Sequence, residues 1–341
     1  MSAAVEVLVD ARAALGECPL WCERSRSLTW TDIDSATLTR WHEADGSVRE
    51  WKLPERVGSF ALCEGGAPSG ASPRDVAMPG SSMPGATMPG ASPRGAPMPG
   101  ASTLLLGLAS GVALFDLETE TLGAITPIEA DNPATRINDG RCDRQGRFVF
   151  GMYAAGRDAA PGHFYRVDAG GAGGSRADGK LRVERLPLPP AAVANSIAFS
   201  PDGSRLYFTD TPTRRILCCD YFADGRIGTP RLFVRVPDAE GFPDGSTVDA
   251  EGGLWNAQWR GRCVVRYDTE GRVTDRIELP ASQITCPAFG GANLERLFAT
   301  SARGGLSDDA LRSEPQAGGV FAALAGRRGL PEQRFKTDRR P

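Results

Sequence analysis

Histidine is almost missing from this chain: only His42 and His163 occur in 341 residues. Two cannot supply a histidine-rich metal centre, and neither is placed to activate a cysteine nucleophile. No serine sits in a G-x-S-x-G elbow, so nothing points to a covalent acyl intermediate. No run of 18 apolar residues occurs, and the start MSAAVEVLVDARAALGECPLW lacks a basic segment followed by an unbroken apolar one. A soluble, cytoplasmic protein without a membrane partner is expected. Basic residues are not in excess either; the formal net charge of -3 leaves no surface suited to nucleic acid. The glycine-rich stretch DAGGAGGSRADGK lacks both the strand-to-helix context and the Lys-Ser/Thr ending of a phosphate cradle. Eight cysteines are present, but Cys18-x-x-x-Cys22 lacks the second pair of a zinc knuckle. Adjacent Cys218 and Cys219 on a strand would point to opposite faces, and a chain this long needs no disulfide staple. All eight are read as reduced and mostly buried.

What the chain does have is a recurring rhythm. In AVANSIAFSPDGSRLYFTDTPTRRILCCDY, apolar runs of four to six residues alternate with a Pro-Asp-Gly turn, as antiparallel strands joined by hairpins do. The same grammar returns from Glu17 to Gly46, Gly140 to Asp168, Asp244 to Arg272 and Cys286 to Gly305. Core strand starts are counted at Leu28, Leu104, Phe148, Leu206, Leu254 and Leu297; after a long first interval they lie 43 to 58 residues apart. A repeat of about 40 to 50 residues suits four-stranded sheets that bury their faces only by stacking on their neighbours. The expected fold is an all-β, six-bladed β-propeller over residues 1–341. A β-sandwich also has short strands and glycine-rich turns, but gives no reason for such regular return. The initial VEVLVD is expected to complete the last blade and close the ring, leaving no free sheet edge.

The long first interval has a local cause. Residues 67–102 carry four copies of Met-Pro-Gly within 23 residues and almost nothing to fill a core. Proline denies a ladder its N–H and glycine raises the cost of order. The stretch reads as a disordered loop inserted in a hairpin, without a part in chemistry. A proline-rich partner ligand would want a denser PxxP pattern.

Three polar residues share one position in the pattern. Glu17, Asn195 and Asp244 each stand at the start of an innermost strand, and in a propeller those starts converge on the axis at one end of the channel. Two carboxylates and a carboxamide make a hard oxygen site suited to Ca²⁺, Mg²⁺ or Mn²⁺. Without a cation the carboxylates would repel, and one would take up a proton. The densest polar cluster is Arg136, Asn138 and Asp139. Arg136 and Asn138 would lie on one side of an extended segment, able to grip a polyol or a carbonyl oxygen. The alternative is an Asx-type turn with Arg136 at the surface, and Asp139 is read mainly as part of an Asp-Gly turn.

LGECPLW, RINDGRCDRQGRFVFG, ANSIAFSPDGSRLYFTD, PDGSTVDAEGGLWNAQW and FATSARGGLSD resemble the senescence-marker/regucalcin/gluconolactonase family along nearly the whole chain. The resemblance implies a six-bladed propeller that hydrolyses sugar lactones with one divalent metal ion, Ca²⁺, Mn²⁺, Mg²⁺ or Zn²⁺. It places metal ligands on Glu17, Asn195 and Asp244, substrate contacts on Arg136 and Asn138, and the general base on Asp244. TPTRRILCCDY and LWNAQW resemble the L-arabinolactonase branch, which implies L-arabinono-1,4-lactone as substrate; D-galactono-, L-fucono- and D-gluconolactone are the alternatives, as is a calcium-binding propeller without catalysis. Two places depart from the family pattern: Gly156 or its neighbours stand where an acidic residue is common, and Asn195-Ser196 replaces Asn-Gly. A monomer is expected.

Overall fold

Every blade begins with a strand that runs along a common axis, and the next three strands step outward from it. The computed structural model describes residues 4–64, 102–156, 159–169 and 181–337. The innermost strands of blades one to six are Gly16–Cys22, Val57–Glu64, Thr135–Cys142, Ala194–Phe199, Phe242–Val248 and Ile284–Gly290. Each contacts the next in that order and the sixth contacts the first, so the ring is a six-bladed β-propeller. The fourth strand of blade six is the N-terminal Val5–Val9, antiparallel to Val320–Leu324, which closes the ring as expected. Leu28, Leu104, Phe148, Leu206, Leu254 and Leu297 do mark one strand per blade, but each lies in the second strand. The second strand is covered on both faces and hence most apolar, which is why it dominated the pattern.

Period-two alternation builds the core. Leu104 and Leu106 pack toward blade one with Leu20, Trp51 and Phe60, whereas Leu105 between them packs toward blade three with Phe148 and Phe150. Six such clusters fill the six interfaces between blades. Each fully buried Leu or Phe contributes about 1.5–3 kcal/mol, and no blade has that burial without its neighbours. All eight cysteines are unpaired and buried.

The repeated turns have a common construction. Asp143 accepts from the backbone N–H of Gln145 and of Arg147, and Asp249 likewise from Glu251 and Gly253. Gly146 (φ 79°) and Gly252 (φ 88°) then take the left-handed conformation that turns the chain back. These turns lie at the end of the channel where the innermost strands finish.

A strap crosses that same end. After blade six, Gly329 N donates to Leu294 O, Ala250 N to Arg328 O, and Lys336 N to Gly146 O. Glu332 pairs with Arg141 at 2.7 Å, and Phe335–Lys336 adds in parallel to Cys63 and Glu64 with Phe335 fully buried. The low-complexity stretch at 67–102 lies, apart from Ser102, outside the described residues, but its flanks are paired: Leu62 faces Leu104 in an antiparallel hairpin. Among the described residues no helix is long and apolar enough to cross a membrane.

Candidate functional site

All six innermost strands break register near their starts: between Glu17 and Leu20, Val57 and Ser59, Ile137 and Gly140, Asn195 and Ala198, Pro243 and Ser246, and Ile284 and Pro287. A bulge re-aims side chains that strict alternation would send into the blade interfaces. Here the bulges stand at one level around the axis. Glycine is required where the strands crowd, since a Cβ on Gly245 would come within 2.5 Å of Cys286 Sγ. Ser196 holds φ 60°, a conformation that favours glycine; its hydroxyl donates to Asp244 O at 2.6 Å and accepts from Asn256 Nδ2 at 3.1 Å. That pair of bonds is what a serine gains in the position after Asn195.

A chain of hydrogen bonds runs across blades three, four and five at this level. Arg136 Nη1 donates to Asn138 Oδ1 (2.7 Å) and to Ile137 O (3.0 Å), and its guanidinium lies 4.5 Å from the Tyr153 ring centroid. Asn138 Nδ2 donates to Ala194 O (2.9 Å) and Asn195 Oδ1 (3.0 Å). Asn195 Nδ2 donates to Thr211 Oγ1 (2.9 Å), and Thr211 Oγ1 donates to Pro243 O (2.9 Å), the carbonyl just before Asp244. Arg136, Asn138, Asn195 and Asp244 are all buried, none more than 9 % exposed. The arrangement therefore favours the extended reading of Arg136 and Asn138 over a surface turn.

Three carboxyls share the mouth. Burial, then the Asp139 charge, pushes Glu17 up to about 8, with Arg136 opposing the shift. Burial, followed by the charges of Glu17 and Asp139, raises Asp244 well above the usual carboxylate range. Asp139 is pushed up to about 6 by burial, against the pull of the Ile197 N–H and Arg141. Asp244 Oδ1 is buried with no hydrogen-bond partner among the described residues. Asp139 does not sit in a turn: it occupies the bulge of Thr135–Cys142, and its Oδ2 accepts from Ile197 N of blade four at 2.7 Å. Adjacent residues in a bulge can both serve the channel, which a strict period of two conceals.

Among the described residues no group of three or more His, Cys, Asp or Glu side chains is arranged to hold a metal ion. The donors on offer are instead mixed, the carboxylates of Glu17 and Asp244 with the Asn195 carboxamide. Sequence reasoning missed Thr211, whose only signal is a hydroxyl just past the strand that pairs with Asn195. It also missed Asp34 and Arg56, 3.6 Å apart, whose charges act on Arg136 from blades one and two.

The family model for the SMP-30/gluconolactonase/LRE-like region matches residues 15–79 and 78–303. The chain belongs to this family. It is 44 % identical over 332 residues to the L-arabinolactonase of Azospirillum brasilense, covering 96 % of this chain and 94 % of that one. It is 32 % identical to the 6-deoxy-6-sulfogluconolactonase of Pseudomonas putida, with 98 % and 99 % covered. Among solved structures it is similar to regucalcin, a calcium-binding protein of Agrobacterium tumefaciens, with a TM-score of 0.80, 30 % identity and 98 % of both chains covered. These relatives cover 96–98 % of the chain, and the family model spans Glu17, Asn195 and Asp244.

Proposed function

We propose that the protein hydrolyses an aldono-1,4-lactone, L-arabinono-1,4-lactone in the first instance, to the open aldonic acid, using one divalent metal ion held by Glu17, Asn195 and Asp244. The observation that carries this reading is Asp244 Oδ1, a buried carboxyl oxygen without a hydrogen-bond partner among the described residues, beside a second carboxyl at the channel mouth. Leaving such an atom unpaired costs about 1–3 kcal/mol, and an oxygen-ligated cation removes that cost while quenching the repulsion between Glu17 and Asp244. The residues present fit the ion. The chemistry it supplies when bound is polarisation of the lactone carbonyl and a lowered pKa for water.

The chain's own residues do the rest. Asp244 accepts the proton of the attacking water as the water oxygen bonds to the carbonyl carbon. The ring C–O bond then breaks, and the ring oxygen leaves as a hydroxyl, taking the proton that Asp244 received and restoring the carboxylate. Arg136 presents its guanidinium to the lactone oxygens, held over the Tyr153 ring. Asn138 contacts substrate through the remaining lone pair of Oδ1, because both amide hydrogens are already given to Ala194 and Asn195.

The substrate assignment leans on the similarity to the Azospirillum enzyme. Hydrolysis releases a proton, so a weakly buffered pH-indicator assay on L-arabinono-, D-galactono-, L-fucono- and D-gluconolactone tests it. The expected result is a chelator-sensitive rate greatest on L-arabinono-1,4-lactone. No metal-dependent rate on any of the four would leave a calcium-binding propeller, the reading favoured by the likeness to regucalcin.

A further inference from the structure

The carboxamide of Asn195 has two orientations of equal shape, and only one of them suits a cation. With Oδ1 toward Asn138 and the channel mouth, the side chain offers an oxygen; flipped, it would offer N–H donors. The hydrogen-bond chain decides between them. Pro243 O can only accept, so the Thr211 hydroxyl spends its single hydrogen there and must accept from its other neighbour, Asn195 Nδ2. Ala194 O can also only accept, so Asn138 directs its amide nitrogen toward Asn195, which must answer with its oxygen. Thr211 thus fixes one side of the amide and Asn138 the other.

Accordingly we propose that Thr211 is a positioning residue for the divalent ion: its hydroxyl locks the Asn195 amide with the oxygen facing the site and ties that lock to the carbonyl preceding Asp244. The inference rests on the reading of Asn195 and Asp244 as ion ligands. Thr211 is well suited to the task because its backbone is held independently. Its N–H donates to Val193 O at 2.9 Å, and the preceding Asp210 accepts from Val193 N at 3.0 Å. The side chain is therefore free to act on Asn195 and Pro243 without carrying the fold of its own loop. Thr211 opens a short 3₁₀ turn that contacts the innermost strand of blade five, so the lock also bridges blades four and five.

The test uses the full chain stripped with chelator, titrated calorimetrically with calcium chloride and with manganese chloride. Thr211→Val keeps the shape and the backbone bonds but removes the hydroxyl; Thr211→Ser restores the hydroxyl without the methyl. Loss of an outer partner that orients a ligand weakens ion binding by about 10-fold or more. The expected result is that loss for Thr211→Val and affinity within about twofold of the parent for Thr211→Ser. A general packing defect would instead depress both variants together, and thermal melts of the stripped proteins report it separately. If Thr211→Val does not fold at the assay temperature, Thr211→Ala takes its place against the same serine control. Ion binding by Thr211→Val equal to the parent, or no recovery in Thr211→Ser, overturns the proposal. A parent protein that binds neither ion overturns the metal reading itself, an outcome distinct from the other two.

Discussion

Asn138 donates its amide nitrogen to Asn195 Oδ1 at 3.0 Å, joining the innermost strands of blades three and four at the channel mouth. This bond changes what Asn138→Ala should do. Removing a pure substrate contact would alter KM or kcat and leave ion affinity alone. Removing this one also frees the Asn195 amide and takes away one of the two acceptors of Arg136, leaving Ile137 O. We expect ion affinity to fall by about 10-fold and KM to rise, read by calorimetry on the stripped protein and by kinetics at saturating ion. Wild-type ion affinity with a raised KM would assign Asn138 to the substrate alone.

Asp244→Asn separates charge from shape. It keeps an oxygen donor but loses the charge that attracts an ion and the base that takes the proton of water. kcat should fall by roughly 10²-fold or more at saturating ion. The metal-free protein should behave in the opposite sense. Burial and the Glu17 charge hold the Asp244 carboxyl far above its ordinary range, so a neutral isostere removes the cost of protonating that carboxyl on folding and raises the melting temperature. Added ion should then stabilise the variant less than the parent. A variant with parental kcat and ion response would take Asp244 out of the site.

The pattern of the chain made the ring legible because each blade repeats one apolar second strand, to which blades three and five add an Asp-headed turn. Glu17, Asn195 and Asp244 were legible as a set because each stands near the start of an innermost strand, although register puts Glu17 and Asn195 just before their bulges and Asp244 inside its own. Asp139 was assigned to a turn because Asp-Gly is turn chemistry, and nothing in composition reveals that the pair lies inside a strand bulge. Thr211 and the strap depend on contacts between blades and between residues far apart in sequence, Lys336 with Gly146 being one. Such contacts have no local periodicity to betray them.

Stability of the stripped protein should depend on pH in a direction opposite to ordinary acid denaturation. Glu17 is pushed up to about 8 and Asp139 to about 6, both chiefly by burial, from ordinary values of 4.5 and 3.8. Below the unfolded values both states hold the proton and nothing is gained or lost by titration. As pH rises, the unfolded chain releases its protons first while the native state retains them, so stability falls until the folded values are passed. Melting temperature of the chelator-treated protein should therefore decline between about pH 4.5 and pH 8. Saturating calcium or manganese should flatten that decline, because an ion at the mouth favours the ionised carboxyls. A stripped protein whose stability rises through this range would show that the cluster is not protonated in the native state.

The Met-Pro-Gly stretch is expected to be dispensable for catalysis, and the hairpin around it gives the reason. Val57–Glu64 and Thr103–Leu108 pair antiparallel as far as Leu62 opposite Leu104, so the chain leaves and re-enters the sheet at adjacent points. Glu64 is at the finishing end of an innermost strand, whereas Glu17, Asn195 and Asp244 are at the starting ends of theirs. The insertion therefore departs from the end of the propeller opposite the candidate site, the same end that Phe335 and Lys336 close by pairing with Cys63 and Glu64. Lengthening a loop there adds closure entropy that grows only slowly, about 0.6 kcal/mol for each doubling, so shortening it should stabilise the hairpin modestly. Replacing residues 66–100 with a two-residue Asn-Gly turn should leave kcat and KM within about twofold of the parent and raise the melting temperature slightly. A large loss of kcat in a variant that melts like the parent would mean that the stretch reaches the chemistry from the far end of the channel, contrary to the placement of its two flanks.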